Sequence, residues 1–74
     1  MSKNEEDIMS VARVTEVIAS SKEGWEDAAR HALSRAAKTL RGITGLEIIR
    51  QTAKIDKGRI AEYRVECRIT FILE

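Results

Sequence analysis

The chain has few of the groups that hold small proteins together through disulfides or metal ions. Its 74 residues include one cysteine, Cys67, and one histidine, His31. A disulfide needs a second cysteine, and a structural metal site needs several such ligands, so both are excluded within one chain. A domain of this size has a marginal hydrophobic core, because small proteins bury a small share of their surface. We therefore expect oligomerisation to supply the missing stability.

Further absences exclude several classes of function. Thirteen Lys and Arg residues against twelve Asp and Glu residues give a net charge of +1, which provides no basic surface for nucleic acid. No apolar run approaches the ~20 residues of a membrane-spanning helix, and the chain has no secretory signal pattern. A single unpaired cysteine also suits a reducing compartment, so a cytoplasmic location is expected.

The residue patterns typical of enzymes are also missing. The sequence has no paired-carboxylate spacing, no phosphate-binding glycine loop and no nucleophile elbow. His31 falls on the polar side of a predicted helix without a nucleophile or an orienting carboxylate, so we expect an exposed surface residue. Glu5, Glu6 and Asp7 form an acidic run that can attract a divalent cation, but such a run near a terminus is usually just solvated. The sequence predicts a non-enzymatic protein.

The dominant feature that is present is a long alternating stretch near the end of the chain. Its odd positions are mainly apolar and its even positions mainly polar, a period of two that predicts a strand with one buried face. A strand from Arg59 to Leu73 would span roughly 50 Å, about twice the length of any helix in so short a chain. Such a strand is expected to reach beyond its own subunit. The apolar positions are Tyr63, Val65, Cys67, Ile69, Phe71 and Leu73, and the polar positions are Glu62, Arg64, Glu66, Arg68 and Thr70.

The remaining elements follow from periodicity and turn residues. β-Branched residues predict a first strand over Val11–Ala19. Apolar residues recur every three or four positions from Trp25 to Leu40, which predicts a helix, and Gly42 is its expected C-cap. A second strand is predicted over Gly45–Ile55, and the following Asp-Lys-Gly sequence is the turn into the third strand.

These elements define an α+β fold of order β-α-β-β, with one helix on one face of a three-stranded antiparallel sheet. Residues 1–10 are mostly polar and are interpreted as a flexible extension, which leaves residues 11–74 as the folded domain. Trp25 lies on the apolar stripe of the helix, so a core position is favoured over a ligand-stacking one. Cys67 lies among the inward residues of the third strand, which favours a buried, inert thiol over a reactive one.

Several segments together resemble the dodecin family. The most specific are the helix start, Gly24-Trp25-Glu26-Asp27-Ala28-Ala29, and the helix end, Arg35-Ala36-Ala37-Lys38-Thr39-Leu40. They are followed by Gly45-Leu46-Glu47-Ile48 and by Tyr63-Arg64-Val65 in the third strand. The resemblance extends from about Val11 to the end of the chain. It implies the β-α-β-β fold and a hollow homododecamer in which the long third strand carries much of the contact between subunits.

The resemblance also implies a flavin-storage site, at positions where this sequence departs from the family. In flavin-binding dodecins, pairs of flavin rings stack between copies of a tryptophan, and a glutamine bonds to the ring. Gly45 matches the tryptophan position and Arg64 matches the glutamine position, so neither residue type is retained. We therefore expect a dodecin-like protein that binds or stores a small ligand through a site no longer suited to flavin. The alternative is a structural or cation-binding shell, for example one that binds calcium.

Overall fold

The structure is a computed structural model that describes residues 11 to 73. It contains one helix and three strands, in the predicted β-α-β-β order. These are β1 (Ala12–Ser21), α1 (Trp25–Ala36), β2 (Ile43–Asp56) and β3 (Arg59–Ile72). The predicted extension over residues 1–10, with Glu5, Glu6 and Asp7, lies outside the described residues. Between residues 11 and 73, no helix has the length and apolarity needed to span a bilayer.

The sheet has the order β1-β3-β2, and both of its strand pairs are antiparallel. The alternating stretch therefore forms the central strand, with a hydrogen-bonded neighbour on each side. Helix α1 packs on one face of the sheet and contacts odd-numbered side chains of β3, including Val65 and Cys67. The predicted α+β fold, with one helix on a three-stranded antiparallel sheet, is confirmed.

The hairpin between β2 and β3 closes where the Asp-Lys-Gly sequence predicts a turn. Asp56 pairs with Arg59, so the loop itself consists of two residues, Lys57 and Gly58. Both have positive φ angles, of 54° and 78°. Two consecutive residues with positive φ define a type I′ turn, whose twist matches that of the flanking strands. Glycine adopts this conformation without strain, whereas Lys57 does so at a cost.

The predicted end of the helix is wrong. The apolar periodicity extends to Leu40, but α1 ends at Ala36 and its C-cap is Ala37, in a right-handed conformation. The backbone then tightens, because the amides of Lys38 and Thr39 donate to the carbonyls three residues earlier. Gly42 does have a positive φ of 69°, but it serves the entry into β2, and its carbonyl accepts a bond from the Ile72 amide at 3.0 Å.

The core is small and lies between α1 and the middle of β3. Val65, Cys67 and Ile69 have no exposed surface, and Ala28 and Ala32 bring the helix close to the sheet. Alanine permits this close approach but buries little area. The buried position predicted for Cys67 is confirmed, and desolvation raises the pKa of its thiol above the ordinary value of 9.0. A thiol with a raised pKa is a poor nucleophile at neutral pH.

Trp25 joins the start of the helix to the two long strands. Its indole Nε1 donates a 2.8 Å hydrogen bond to the carbonyl oxygen of Thr52 in β2. Its ring meets that of Tyr63 in β3 edge to face, with centroids 4.9 Å apart and an interplanar angle of 81°. The residue is half-buried and packs against the core. The predicted packing role of Trp25 is therefore confirmed.

Helix α1 is too short to cover the sheet it packs on. Its 12 residues extend for about 18 Å, whereas the 14 residues of β2 or of β3 extend for about 46 Å. The end of the β2–β3 hairpin consequently projects as an arm, and the molecule measures 57 × 20 × 16 Å. Ile55 and Ile60, which pair across this arm, are 60% and 46% exposed.

Candidate ligand-binding face

The sheet face opposite α1 carries the polar half of the alternating pattern. We call it the open face, because α1 leaves it uncovered. On β3 it presents Glu62, Arg64, Glu66, Arg68 and Thr70, the even-numbered positions. The strand register places residues of β1 and β2 on either side of each of them. The face is therefore a set of rows, each running across three strands.

One of these rows is an ion-pair cluster centred on Arg68. Its guanidinium lies between Glu16 of β1 and Glu47 of β2, at 3.4 Å from a carboxylate oxygen of each. Cross-strand pairs of opposite charge stabilise a sheet modestly. All three side chains remain substantially exposed, so solvent screens the attraction. Sequence analysis placed Arg68 on a polar face but missed its two partners, because the register that joins them is a tertiary property.

Gly45 lies at one end of the open face and adds no side chain to it. It pairs with Thr70, and a Cβ built on it would lie 3.9 Å from the Thr70 Cβ, which is ordinary van der Waals contact. Its φ is not in the positive range that resists substitution. The backbone at Gly45 therefore accommodates a Cβ without strain or close contact.

Arg64 lies further along the same face, in a row between Ser20 of β1 and Thr52 of β2. Its guanidinium donates to the carboxylate of Glu62 at 3.2 Å. No described residue beside it in that row carries a carboxylate, in contrast to the row of Arg68. Roughly half of the Arg64 side chain is exposed, and its guanidinium offers only hydrogen-bond donors.

The two predicted site residues are not neighbours within one chain. Gly45 pairs with Thr70 and Arg64 is six positions away on β3, a distance of about 20 Å along the strand. A ligand smaller than this cannot contact both positions of one subunit. Any site that uses Gly45 and Arg64 together has to combine residues from at least two copies of the chain.

Neither of these two positions presents an aromatic ring or a neutral amide. Stacking on an aromatic side chain needs a ring, and Gly45 has none. A glutamine amide both donates and accepts, whereas Arg64 only donates and is already paired with Glu62. Tyr63 and Trp25 pack against each other on the helix side of the sheet, so neither ring lies on the open face.

The described residues also lack a ready-made cation site. Within residues 11 to 73 there is no group of three or more His, Cys, Asp or Glu side chains arranged to hold a metal ion. The carboxylates of Glu16 and Glu47 face each other across β3, but the guanidinium of Arg68 occupies the point between them. A cation bound at that point would have to displace this guanidinium.

His31 is exposed as predicted, although it has a partner that sequence analysis missed. Its Nε2 lies 3.4 Å from Oδ2 of Asp27, one helical turn earlier, and its side chain is 59% exposed. The same Asp27 oxygen accepts a 2.6 Å hydrogen bond from the hydroxyl of Ser21. The carboxylate therefore lies between the serine and the histidine, so His31 does not contact the hydroxyl as a general base must. The (i, i+4) spacing of Asp27 and His31 was the available signal.

Known proteins with similar sequences and structures belong to one family, which has this β-α-β-β architecture. A family model described as Dodecin matches residues 11–74. Among curated proteins, the chain is 32% identical to the calcium dodecin of Mycobacterium tuberculosis over 85% of its own length and 89% of that protein. It is 36% identical to a dodecin of Thermus thermophilus, over 86% of this chain and 93% of the relative.

Solved structures agree with these sequence matches. The structure of dodecin from Streptomyces coelicolor superposes with a TM-score of 0.86 at 35% identity, over 89% of this chain and 94% of that one. The crystal structure of the calcium dodecin of M. tuberculosis superposes with a TM-score of 0.77 at 29% identity, over 88% and 93% of the two chains. The chain belongs to the dodecin family, and the resemblance found in its sequence is confirmed.

Proposed function

We propose that this chain forms a hollow homododecamer that binds or stores a small ligand without catalysing a reaction, and that it has lost the flavin-stacking site of its family. The observation that carries the proposal is Gly45, a residue without a side chain at the place on the open face where a stacking ring is needed. Arg64 adds a donor-only group where an amide is needed. We place the assembly in the cytoplasm because its cysteine is unpaired.

Membership of the dodecin family supports a binding role, and the geometry supports a site shared between copies. Gly45 and Arg64 lie about 20 Å apart in one chain, so the proposed site requires the symmetry of an assembly. The exposed arm of the β2–β3 hairpin and the thin core supply a reason for the chain to assemble. The absence of a nucleophile–base pair near His31 fits a non-enzymatic role.

Riboflavin titration tests the loss of the stacking site. The unmodified protein is expected to quench riboflavin fluorescence weakly or not at all. The double variant Gly45→Trp with Arg64→Gln is expected to bind about tenfold more tightly or better, because each aromatic pair contributes ~0.5–1.5 kcal/mol beyond buried area and ~1.4 kcal/mol is a factor of ten. The Cβ of the introduced residue at position 45 meets only the Thr70 Cβ, at an ordinary distance of 3.9 Å.

A matched variant separates stacking from simple burial. Gly45→Leu with Arg64→Gln adds apolar area without a ring, so it is expected to restore much less binding than the tryptophan variant. Gel filtration of all variants checks that assembly is unchanged. Tight quenching by the unmodified protein would show that flavin is held by other residues, and the proposal would be abandoned.

The second candidate is a structural or cation-binding shell. It is favoured by the similarity to a calcium dodecin and by the carboxylates of Glu16 and Glu47 on the open face. Calcium titration in a calorimeter, run beside the riboflavin experiment, distinguishes the candidates. Saturable calcium binding that disappears in Glu16→Gln with Glu47→Gln, together with no riboflavin binding, would favour the second candidate over the first.

A further inference from the structure

A groove lies on the flank of the molecule, between the free edge of β1 and the second half of α1. It has a volume of about 810 Å³, is partly open to solvent and continues along the turn that follows the helix. Strand β1 is at the edge of the sheet, so one side of its backbone is not paired with another strand formed by residues 11 to 73. We call this cavity the β1 groove. Gly45 and Arg64 do not line it, so it is distinct from the site proposed above.

The rim of the β1 groove is basic. His31, Arg35 and Lys38 all line it, and their spacings of four and three residues place them on one side of the helix and its continuation. None of the described residues that line the groove is acidic. Within the described part of the chain, Arg35 and Lys38 make no ion pair with a carboxylate, whereas His31 contacts Asp27. Two cationic side chains are therefore available to a ligand.

The wall of the same groove is apolar. Val17 of β1 and Ala32 and Ala36 of α1 line it, and their small side chains leave the space open. Small-molecule sites are typically clefts of about 300–1,000 Å³ with an apolar lining and a few polar groups that fix the orientation of the ligand. The β1 groove has a volume within this range, and it combines an apolar wall with basic side chains at its rim, although it is more open and more polar than such a cleft.

The helix macrodipole alone does not explain these features. Basic residues near a helix C-terminus are favourable whether or not a ligand binds, and Arg35 lies in the last turn of α1. That effect requires neither a cavity beside the basic residues nor the absence of acidic residues around it. The combination of cavity, apolar wall and acid-free rim is what points to a ligand.

We propose that the β1 groove binds a small organic anion with an apolar body. The guanidinium of Arg35 and the ammonium of Lys38 hold the anionic group, and the apolar body lies against Val17, Ala32 and Ala36. Arginine provides paired donors that match a carboxylate or a phosphate, and lysine adds a mobile point charge. The proposal stands independently of whether the open face has lost its flavin site.

The test uses 8-anilinonaphthalene-1-sulfonate, an anion with an apolar body whose fluorescence increases on binding. The assembled protein is titrated beside the double variant Arg35→Gln with Lys38→Gln. The variant is expected to bind the probe about fivefold to tenfold more weakly, as two partly exposed charge contacts imply. N-phenyl-1-naphthylamine, the uncharged counterpart, is expected to bind both proteins equally.

A charge-matched variant provides the control. Lys22→Gln with Arg41→Gln removes one lysine and one arginine that do not line the groove, so net charge falls by the same amount. We expect this control to bind the probe within twofold of the unmodified protein. Raising the salt concentration should weaken probe binding to the unmodified protein more than to Arg35→Gln with Lys38→Gln. Equal weakening by both double variants, or no weakening by the groove variant, would overturn the proposal.

Discussion

Single side chains on this molecule differ in role according to what the neighbouring strands place beside them. Arg64 and Arg68 occupy equivalent outward positions on β3, four residues apart. Arg68 has a glutamate on each side, whereas Arg64 has a serine and a threonine. The guanidinium of Arg68 pairs with carboxylates on both neighbouring strands. That of Arg64 pairs only with Glu62, on its own strand. Arg64 is therefore the better candidate for contact with a ligand.

Trp25 gives a prediction at the same scale. Trp25→Phe keeps an aromatic ring against Tyr63 but removes the Nε1 hydrogen bond to Thr52. It is expected to lower the free energy of unfolding by about 1 kcal/mol, the usual net contribution of one hydrogen bond. Trp25→Ala removes the ring as well and is expected to cost ~3 kcal/mol, at the low end for such truncations because the residue is half-buried.

Urea denaturation of both variants measures this difference, and gel filtration reports whether assembly is retained. Glu26→Ala, on the exposed side of the same helical turn, is the control. It removes only the exposed ion pair with Arg30, so it should lower the free energy of unfolding by a few tenths of a kcal/mol. A Trp25→Ala variant as stable as the unmodified protein would show that Trp25 does not anchor the start of α1 to β2 and β3.

The elements of this chain differ mainly in how much of their conformation is decided locally. The β2–β3 hairpin is determined by a two-residue turn and by alternation along two strands, all within neighbouring sequence. The pairing of β1 with β3 joins residues about sixty positions apart at its far end, such as Ala12 and Ile72. Loop-closure entropy opposes such distant pairs, so the hairpin is the element best suited to form early.

The turn offers a test at the scale of the hairpin. Lys57 has a positive φ of 54°, which costs a residue with a Cβ about 1 kcal/mol, whereas asparagine tolerates this conformation better. Lys57→Asn is expected to raise the free energy of unfolding by about 0.5 kcal/mol, measured by thermal or urea denaturation. Gly58→Ala, at the other positive-φ position, is expected to lower it by about 1 kcal/mol. A less stable Lys57→Asn variant, or a Gly58→Ala variant as stable as the unmodified protein, would contradict the type I′ turn.

Most of this fold can be predicted from the amino-acid sequence, because the strongest signals in the sequence are local. The alternation in β3, the periodicity after Trp25 and the turn before Arg59 gave the elements and their order. The end of the helix at Ala36 could not be read from periodicity, because Leu40 continues the apolar pattern through a tightened turn. The partners of Arg68 and the β1 groove depend on register and packing, which no local pattern reports.

On the scale of the whole molecule, large hydrophobic side chains among the described residues are more often exposed than buried. Five hydrophobic residues are buried among those described, whereas nine large ones are at least 40% exposed. The exposed group includes Ile55 and Ile60 on the arm, where α1 gives no cover. Large exposed apolar patches mark interaction surfaces, and a small core needs such partners for stability. Additional copies of the chain provide the most direct way to cover these residues.

The state of assembly is therefore the last prediction. Twelve chains of 8.3 kDa amount to about 100 kDa, so multi-angle light scattering at micromolar concentration is expected to report a species of about that mass. Ile55→Lys with Ile60→Lys places two charges on the arm and is expected to shift the protein to smaller, less heat-stable species. Ser34→Lys with Thr44→Lys adds the same charge at exposed positions that are not large and apolar, and it should leave the mass unchanged. A folded monomer of the unmodified chain at micromolar concentration would refute the argument, because the exposed arm would then need no partner.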